Sequence, residues 1–123
     1  MERAVPKVWG EEHWIVNRDY CGKKLILKKG FRCSMHRHPI KDETFHLDTG
    51  SVFLELGEKE HILSPGDSVH IPTGSWHRFT GLEESVILEF STHHEDDDCE
   101  RRTESGPVPP EELAGMRQRA GLD

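Results

Sequence analysis

A chain of 123 residues with 16 lysines and arginines against 23 acids, a formal net charge of −7, lacks the basic density that nucleic acid or an anionic membrane surface requires. Its 33% of hydrophobic residues suffices for one modest core, and no apolar run approaches the ~18 residues of a membrane span. Cys21, Cys33 and Cys99 are odd in number and widely spaced, which fits neither a disulfide framework nor a zinc ribbon. With a start, Met1-Glu-Arg-Ala, that has no apolar secretory segment, this leads to the expectation of reduced thiols in a cytoplasmic protein.

In chain order, residues 1–11 read as an N-terminal arm, with Pro6 and Trp9-Gly10 marking entry into the domain, and residues 12–92 read as the domain itself. Strands are predicted at Glu12 to Val16 and Lys24 to Lys29, divided by the turn-rich Asn17-Arg-Asp-Tyr-Cys-Gly22. Further strands follow at Cys33 to His38, Glu43 to Leu47, Val52 to Leu56, His61 to Leu63, Ser68 to Ile71, Trp76 to Thr80 and Val86 to Phe90. Many short strands punctuated by Gly, Pro, Asp or Ser, with no helical period between them, indicate an all-β antiparallel sandwich or barrel. Residues 93–109, beginning His93-His94 and continuing through acids to a Pro-rich run, read as a tail linker; the two histidines are read as solvated or structural, as a cap on a pocket, or as holders of a stray metal. Residues 110–123 carry acids at the start, bases at the end and a proline just before, the signals of a short helix that docks through Leu113 and Met116 or frays.

The chemistry concentrates between Gly30 and Gly50. On a strand, His36 and His38 point to one side while Arg37 points away, so both imidazoles can face one point. Pro39 ends the ladder, and Glu43 opens the next extended run with a carboxylate able to return to that point. A second segment, Gly66-Asp-Ser-Val-His-Ile-Pro72-Thr-Gly74-Ser-Trp-His77, supplies another imidazole after a Pro-x-Gly turn. Three imidazoles and one carboxylate suit a divalent first-row ion, with Mn, Fe, Zn, Ni and Co all compatible, and leave positions open for a substrate. The same parity places Ser34, Phe45, Leu47 and Phe79 with the ligands, as a partly dry pocket lining, and His46 on the opposite face. No spacing ties His13, His46, His61 or His70 to the ion, so these read as surface or supporting residues.

The spacings Gly-x5-His-x-His-x4-Glu-x6-Gly and Gly-x5-Pro-x-Gly-x2-His match, without gaps, both signature motifs of the cupin superfamily, which the chain therefore resembles. The resemblance implies a jelly-roll barrel and His36, His38, Glu43 and His77 as metal ligands. One departure is Gly81, where the second motif usually closes with Asn. Val8-Trp9-Gly10, the run from Leu63 to Gly74 with His77-Arg78, and Leu88-Glu-Phe followed by Glu95-Asp-Asp-Asp-Cys-Glu-Arg101 further resemble the cupin domain of type II mannose-6-phosphate isomerases. That similarity implies aldose-ketose isomerisation of a sugar or sugar phosphate, with the ion as Lewis acid. Glu89, set between Leu88 and Phe90, is costly to bury unpaired, so it either faces solvent or serves a site, and in the second case it is the first candidate for the proton-moving group; His46, on the opposite face by parity, is the second. Lys41, in the loop on the pocket side, and Arg78, next to His77, are candidate phosphate contacts or, equally, surface charges. The alternatives are a mononuclear Fe(II) dioxygenase and a non-catalytic sugar-binding module. A homodimer paired through its sheets is also expected.

Overall fold

A computed structural model describes residues 3–123. Its strands are β1 (Arg3–Lys7), β2 (Gly10–Asn17), β3 (Tyr20–Leu27), β4 (Phe31–Arg32), β5 (His36–Arg37), β6 (Glu43–Thr49) and β7 (Val52–Leu56). They continue as β8 (Lys59–Leu63), β9 (Ser68–Ile71), β10 (His77–Gly81), β11 (Ser85–Thr92), β12 (Glu100–Arg101) and β13 (Gly106–Pro107), and one helix follows, α1 (Pro110–Arg119). Alternation explains why these segments pair as they do. The buried positions of β3 are Cys21, Lys23, Leu25 and Leu27, those of β6 are Glu43, Phe45 and Leu47, and those of β11 are Ser85, Ile87 and Glu89, each separated by a less buried neighbour. Shifting any of these strands by one residue would turn that buried set toward solvent.

All pairings are antiparallel, in two sheets. One runs β1-β2-β3-β11-β6-β9; the other runs β12-β5-β10-β4-β13, with β7 on the second side of β10 and β8 beyond it. Their inner faces enclose a single apolar cluster that includes Leu25, Leu27, Phe45, Leu47, Leu54, Ile71, Phe79 and Ile87. This is the expected all-β jelly-roll barrel with a short C-terminal helix.

Three segments depart from the expected outline. The segment expected as an arm, apart from residues 1 and 2, which lie outside the described residues, forms β1 and pairs with β2 over five positions. The hairpin closes at Gly10, whose φ of +147° suits glycine and where a Cβ would sit 1.8 Å from the Ile26 carbonyl oxygen. The span expected as a linker instead contributes β12, paired with β5, and β13, paired with β4. The helix ends at Arg119, and it docks on the barrel: Met116 is buried with Phe53, Leu82 and Val108, and Leu113 packs beside them. Burial of a Met or Leu side chain stabilises by about 1.5–3 kcal/mol, which offsets the marginal stability of so short a helix. Arg117 adds hydrogen bonds to the Leu82 carbonyl and to Glu83.

Gly81 now has a physical reason. Its carbonyl accepts from the Gly30 N–H at 2.8 Å, and a Cβ there would approach the Lys28 carbonyl oxygen to 2.8 Å, too close for any side chain.

Candidate metal centre

β5 and β10 lie side by side, and their register sets His36 directly opposite His77. His38 follows at the end of β5, and Glu43 opens β6 on the facing sheet. The ligand-type atoms of His36, His38 and His77 lie within 4.8 Å of one another. Glu43 Oε2 stands 3.2 Å from His77 Nε2 and 3.4 Å from His38 Nε2. The four residues that the sequence singled out for this role are therefore neighbours in space.

Each ring is held by its other nitrogen. Nδ1 of His36 meets the Ser34 carbonyl at 2.7 Å, Nδ1 of His38 the Asp98 carbonyl at 2.7 Å, and Nδ1 of His77 the Ser75 carbonyl at 3.0 Å. A carbonyl oxygen only accepts, so Nδ1 carries the proton in every ring and Nε2 offers a lone pair to the common centre. His77 Nε2 and both carboxylate oxygens of Glu43 are buried without a hydrogen-bond partner. Burying acceptors this way is costly unless a cation satisfies them, so the donor set fits a divalent metal ion. Electrostatics agree. Burial, with the His77 and His38 rings adding to it, pushes His36 down to about 3; burial and Lys41 lower His38. Burial would raise the Glu43 carboxyl, but the Lys41 ammonium beside Oε1 opposes it and the carboxyl lies below its usual range. Neutral imidazoles and an ionised carboxylate are the forms that bind metal.

The centre lies at one side of a cavity of about 380 Å³. Phe45 and Phe79 form its dry wall, their ring centroids 6.0 Å apart, with Trp9 edge-on to Phe79 at 5.0 Å. Ser34 lines it too, its N–H donating to Ser105 Oγ. Lys41 and Glu89 also line it, 2% and 4% exposed, and form a pair: Lys41 Nζ donates to Glu89 Oε2 at 3.0 Å and lies 3.6 Å from Glu43 Oε1. Burial disfavours the ammonium, yet Glu89 and Glu43 together raise the Lys41 pKa, so it stays charged. Lys41 is thus engaged within the barrel and is not a cation held ready for a phosphate.

Two candidates face away from the cavity. His46 alternates with the inward Phe45 and Leu47 and hydrogen-bonds Ser68 Oγ at 2.7 Å on the outer surface. Arg78 alternates with His77 and Phe79, and its guanidinium grips Glu55 through two bonds of 2.7 and 3.0 Å. Both positions follow from the two-residue period of a strand, which already sets His46 on the outer face and which removes Arg78 as a phosphate contact inside the cavity.

The sequence reading missed Asp98, which ties the centre together. Its carbonyl holds His38, and its carboxylate accepts from the Ile40 and Lys41 N–H groups at 2.9 and 2.8 Å. In a run of acids, nothing local marks Asp98 as the buried one. His94, left open between capping the pocket and solvation, lines the cavity between Lys41 and Asp96, whereas His93 bonds Glu95 at the surface.

Two antiparallel sheets enclose one core with this donor set between them, and residues 24–91 match the family model described as "Cupin domain". The chain belongs to the cupin family. It is 34% identical to a D-lyxose/D-mannose isomerase of Thermosediminibacter oceani, and the match covers 67% of this chain and 61% of that protein. It is 33% identical to a D-lyxose ketol-isomerase of Cohnella laeviribosi with the same coverages. The chain thus spans about three-fifths of the length of these curated relatives. Among solved structures, KdgF from Halomonas sp. shares the fold with a TM-score of 0.67 at 22% identity, over 71% of this chain and 81% of that one. No described helix is long and apolar enough to cross a membrane.

Proposed function

We propose that this chain is a metal-dependent isomerase that interconverts an aldose and a ketose, sugar or sugar phosphate, inside the barrel. The observation that carries the reading is the convergence of three imidazole lone pairs and the Glu43 carboxylate on one point, with the buried Lys41–Glu89 pair beside them in the same cavity. Two relatives named as isomerases of D-lyxose support the reaction type.

His36, His38, Glu43 and His77 would hold the ion, and Mn, Fe, Zn, Ni or Co would suit them. When bound, a divalent ion supplies a fixed positive charge that favours the negative charge developing on the sugar's oxygens. The rest falls to the chain. Glu89 is the base that takes a proton from one carbon and returns it to its neighbour. Its Oε2 is occupied by Lys41 and by the Ser91 hydroxyl at 3.0 Å, and its Oε1 is left for that proton. Lys41 holds the Glu89 carboxylate in place through Oε2 and offers an N–H toward a developing oxyanion. Phe45 and Phe79 exclude water, which strengthens each of these interactions.

The test is conversion of aldoses, ketoses and their phosphates by the metal-loaded protein. Turnover is expected, and Glu89→Gln is expected to lower kcat by about 10²–10⁴-fold while metal content is unchanged. Oxygen uptake coupled to substrate would replace this reading with a dioxygenase. Ligand-dependent stabilisation without turnover would replace it with a binding module.

A homodimer belongs to the same reading. Val16, Ile26, Val86, Leu88 and Phe90 gather on the outer face of the six-stranded sheet, with Val86 opposite Ile26 and Phe90 opposite Gly22, which in turn faces Val16. Light scattering that gives a monomer mass would remove it. The free cysteines fit a reducing compartment, and a cytoplasmic location completes the proposal.

A further inference from the structure

The cations that line the cavity fall into two groups. Lys23, 2% exposed, donates to Glu12 Oε1 at 2.8 Å, and Lys41 donates to Glu89. Arg101, Lys7 and Arg3 also line the cavity, at its rim, and are not so engaged. Among the described residues, neither Arg101 nor Arg3 has a carboxylate within 4.0 Å; Arg3 lies over the Trp14 ring at 4.6 Å. Lys7 reaches Glu12 only at 3.9 Å, and that carboxylate already holds Lys23 and the Trp14 indole N–H. The other carboxylate at this rim, Asp96, accepts from the His94 ring at 2.9 Å. Elsewhere, Arg32, Arg37, Arg78, Arg117 and Arg119 each have a carboxylate oxygen within 3.0 Å, whereas Arg18 and Arg102, like Arg101 and Arg3, have none within 4.0 Å among the described residues, and Arg102 lies over the Trp76 ring at 3.7 Å.

Register explains the position of Arg101. β12 pairs with β5 so that Arg101 sits directly opposite His36 and Glu100 opposite Arg37. Opposed residues in an antiparallel pair point to the same face. Glu100 therefore turns outward, where it takes Arg37, and Arg101 turns inward beside the first imidazole. Of the arginines without a carboxylate partner, Arg3 and Arg101 line the cavity that holds the histidine cluster, whereas Arg18 and Arg102 do not.

We infer that the mouth of the cavity is an anion subsite, with Arg101 as its main contact, Lys7 and Arg3 on β1 facing it, and the phosphate or carboxylate of a sugar derivative as its ligand. Guanidinium offers the two-pronged N–H geometry that both anions accept, and Lys7 adds a point charge. This deepens the isomerase reading: the substrate is a sugar phosphate or a sugar acid, its anionic end at Arg101 and its carbonyl end at the histidine cluster.

Calorimetric titration of the metal-loaded protein with D-mannose, D-mannose 6-phosphate and D-mannuronate tests it. At least one anionic sugar should bind about tenfold or more tightly than D-mannose, and which one identifies the anion. Arg101→Gln should erase that preference while the D-mannose affinity stays within about twofold, and Lys7→Gln should reduce it less. Arg78→Gln, on the outer face, should leave it intact. Equal affinity for the three sugars, no binding of any, or a preference that survives in the double variant Arg101→Gln/Lys7→Gln overturns the subsite. Anion preference without turnover leaves the subsite standing and removes the isomerase reading, whereas turnover of neutral sugars without anion preference does the reverse.

Discussion

The two ends of the barrel interior are built by the same strands and do opposite things. On β3 the inward positions run Lys23, Leu25, Leu27; on β6 they run Glu43, Phe45, Leu47; on β11, in the antiparallel sense, they run Glu89, Ile87. Register stacks apolar on apolar at one end, where Ile87 faces Leu25 and Leu47, and brings charges in at the other, where Glu89 faces Lys23 on one side and Phe45 on the other and Glu43 lies one pair further along. Two residues of travel along each strand thus convert a dry plug into a charged chamber. The apolar end supplies the hydrophobic stabilisation that the ionisable end does not, since buried charges at best break even. Rigid packing below is what keeps the imidazoles above aimed at one centre.

If the two ends are separable, mutations should sort cleanly. The largest effect expected is from His77→Ala, which should lose stoichiometric metal, measured by elemental analysis, together with turnover. Full metal occupancy in that variant would overturn the ligand assignment. Leu47→Ala, at the fully buried dry end, should cost about 2–5 kcal/mol in urea unfolding, yet its folded fraction should retain metal and kcat. Loss of metal in the folded Leu47 variant would show that the ends are coupled rather than stacked. Gly81→Asn, which restores the usual motif residue, should destabilise by about 1–3 kcal/mol because of the clash with the Lys28 carbonyl. Arg78→Gln should change stability by no more than about 1 kcal/mol, since it breaks one partly exposed ion pair.

Much of this was legible in the sequence, for a reason specific to strands. A period of two is short enough that four ligand residues and a few turn signals set both the pairing faces and the centre, and the core strands fall close to where alternation puts them. What escaped has no periodicity. β12 and β13 are two residues each, too short to alternate, so the segment from 93 to 109 read as a solvated linker. The burial of Asp98, alone among the acids at 95–98, depends on the distant His38 loop and not on its neighbours. His46 and Arg78 were drawn toward the site by residue type, although strand parity turns both outward. Arg101 drew no attention as a site residue because only a cross-strand partner 65 positions earlier in the chain aims it.

The carbonyl that steadies His38 belongs to a residue 60 positions later. During synthesis the barrel strands emerge well before Asp98 does, so a nascent chain has its three imidazoles in hand while one of them still swings free. The His38 ring, whose orientation and tautomer rest on that carbonyl, is not fixed toward the common centre until residue 98 is in place. The candidate centre is thus complete only when the last stretch of the barrel has folded back against β5, so its geometry depends on a segment far from every one of its ligand-type residues in the chain.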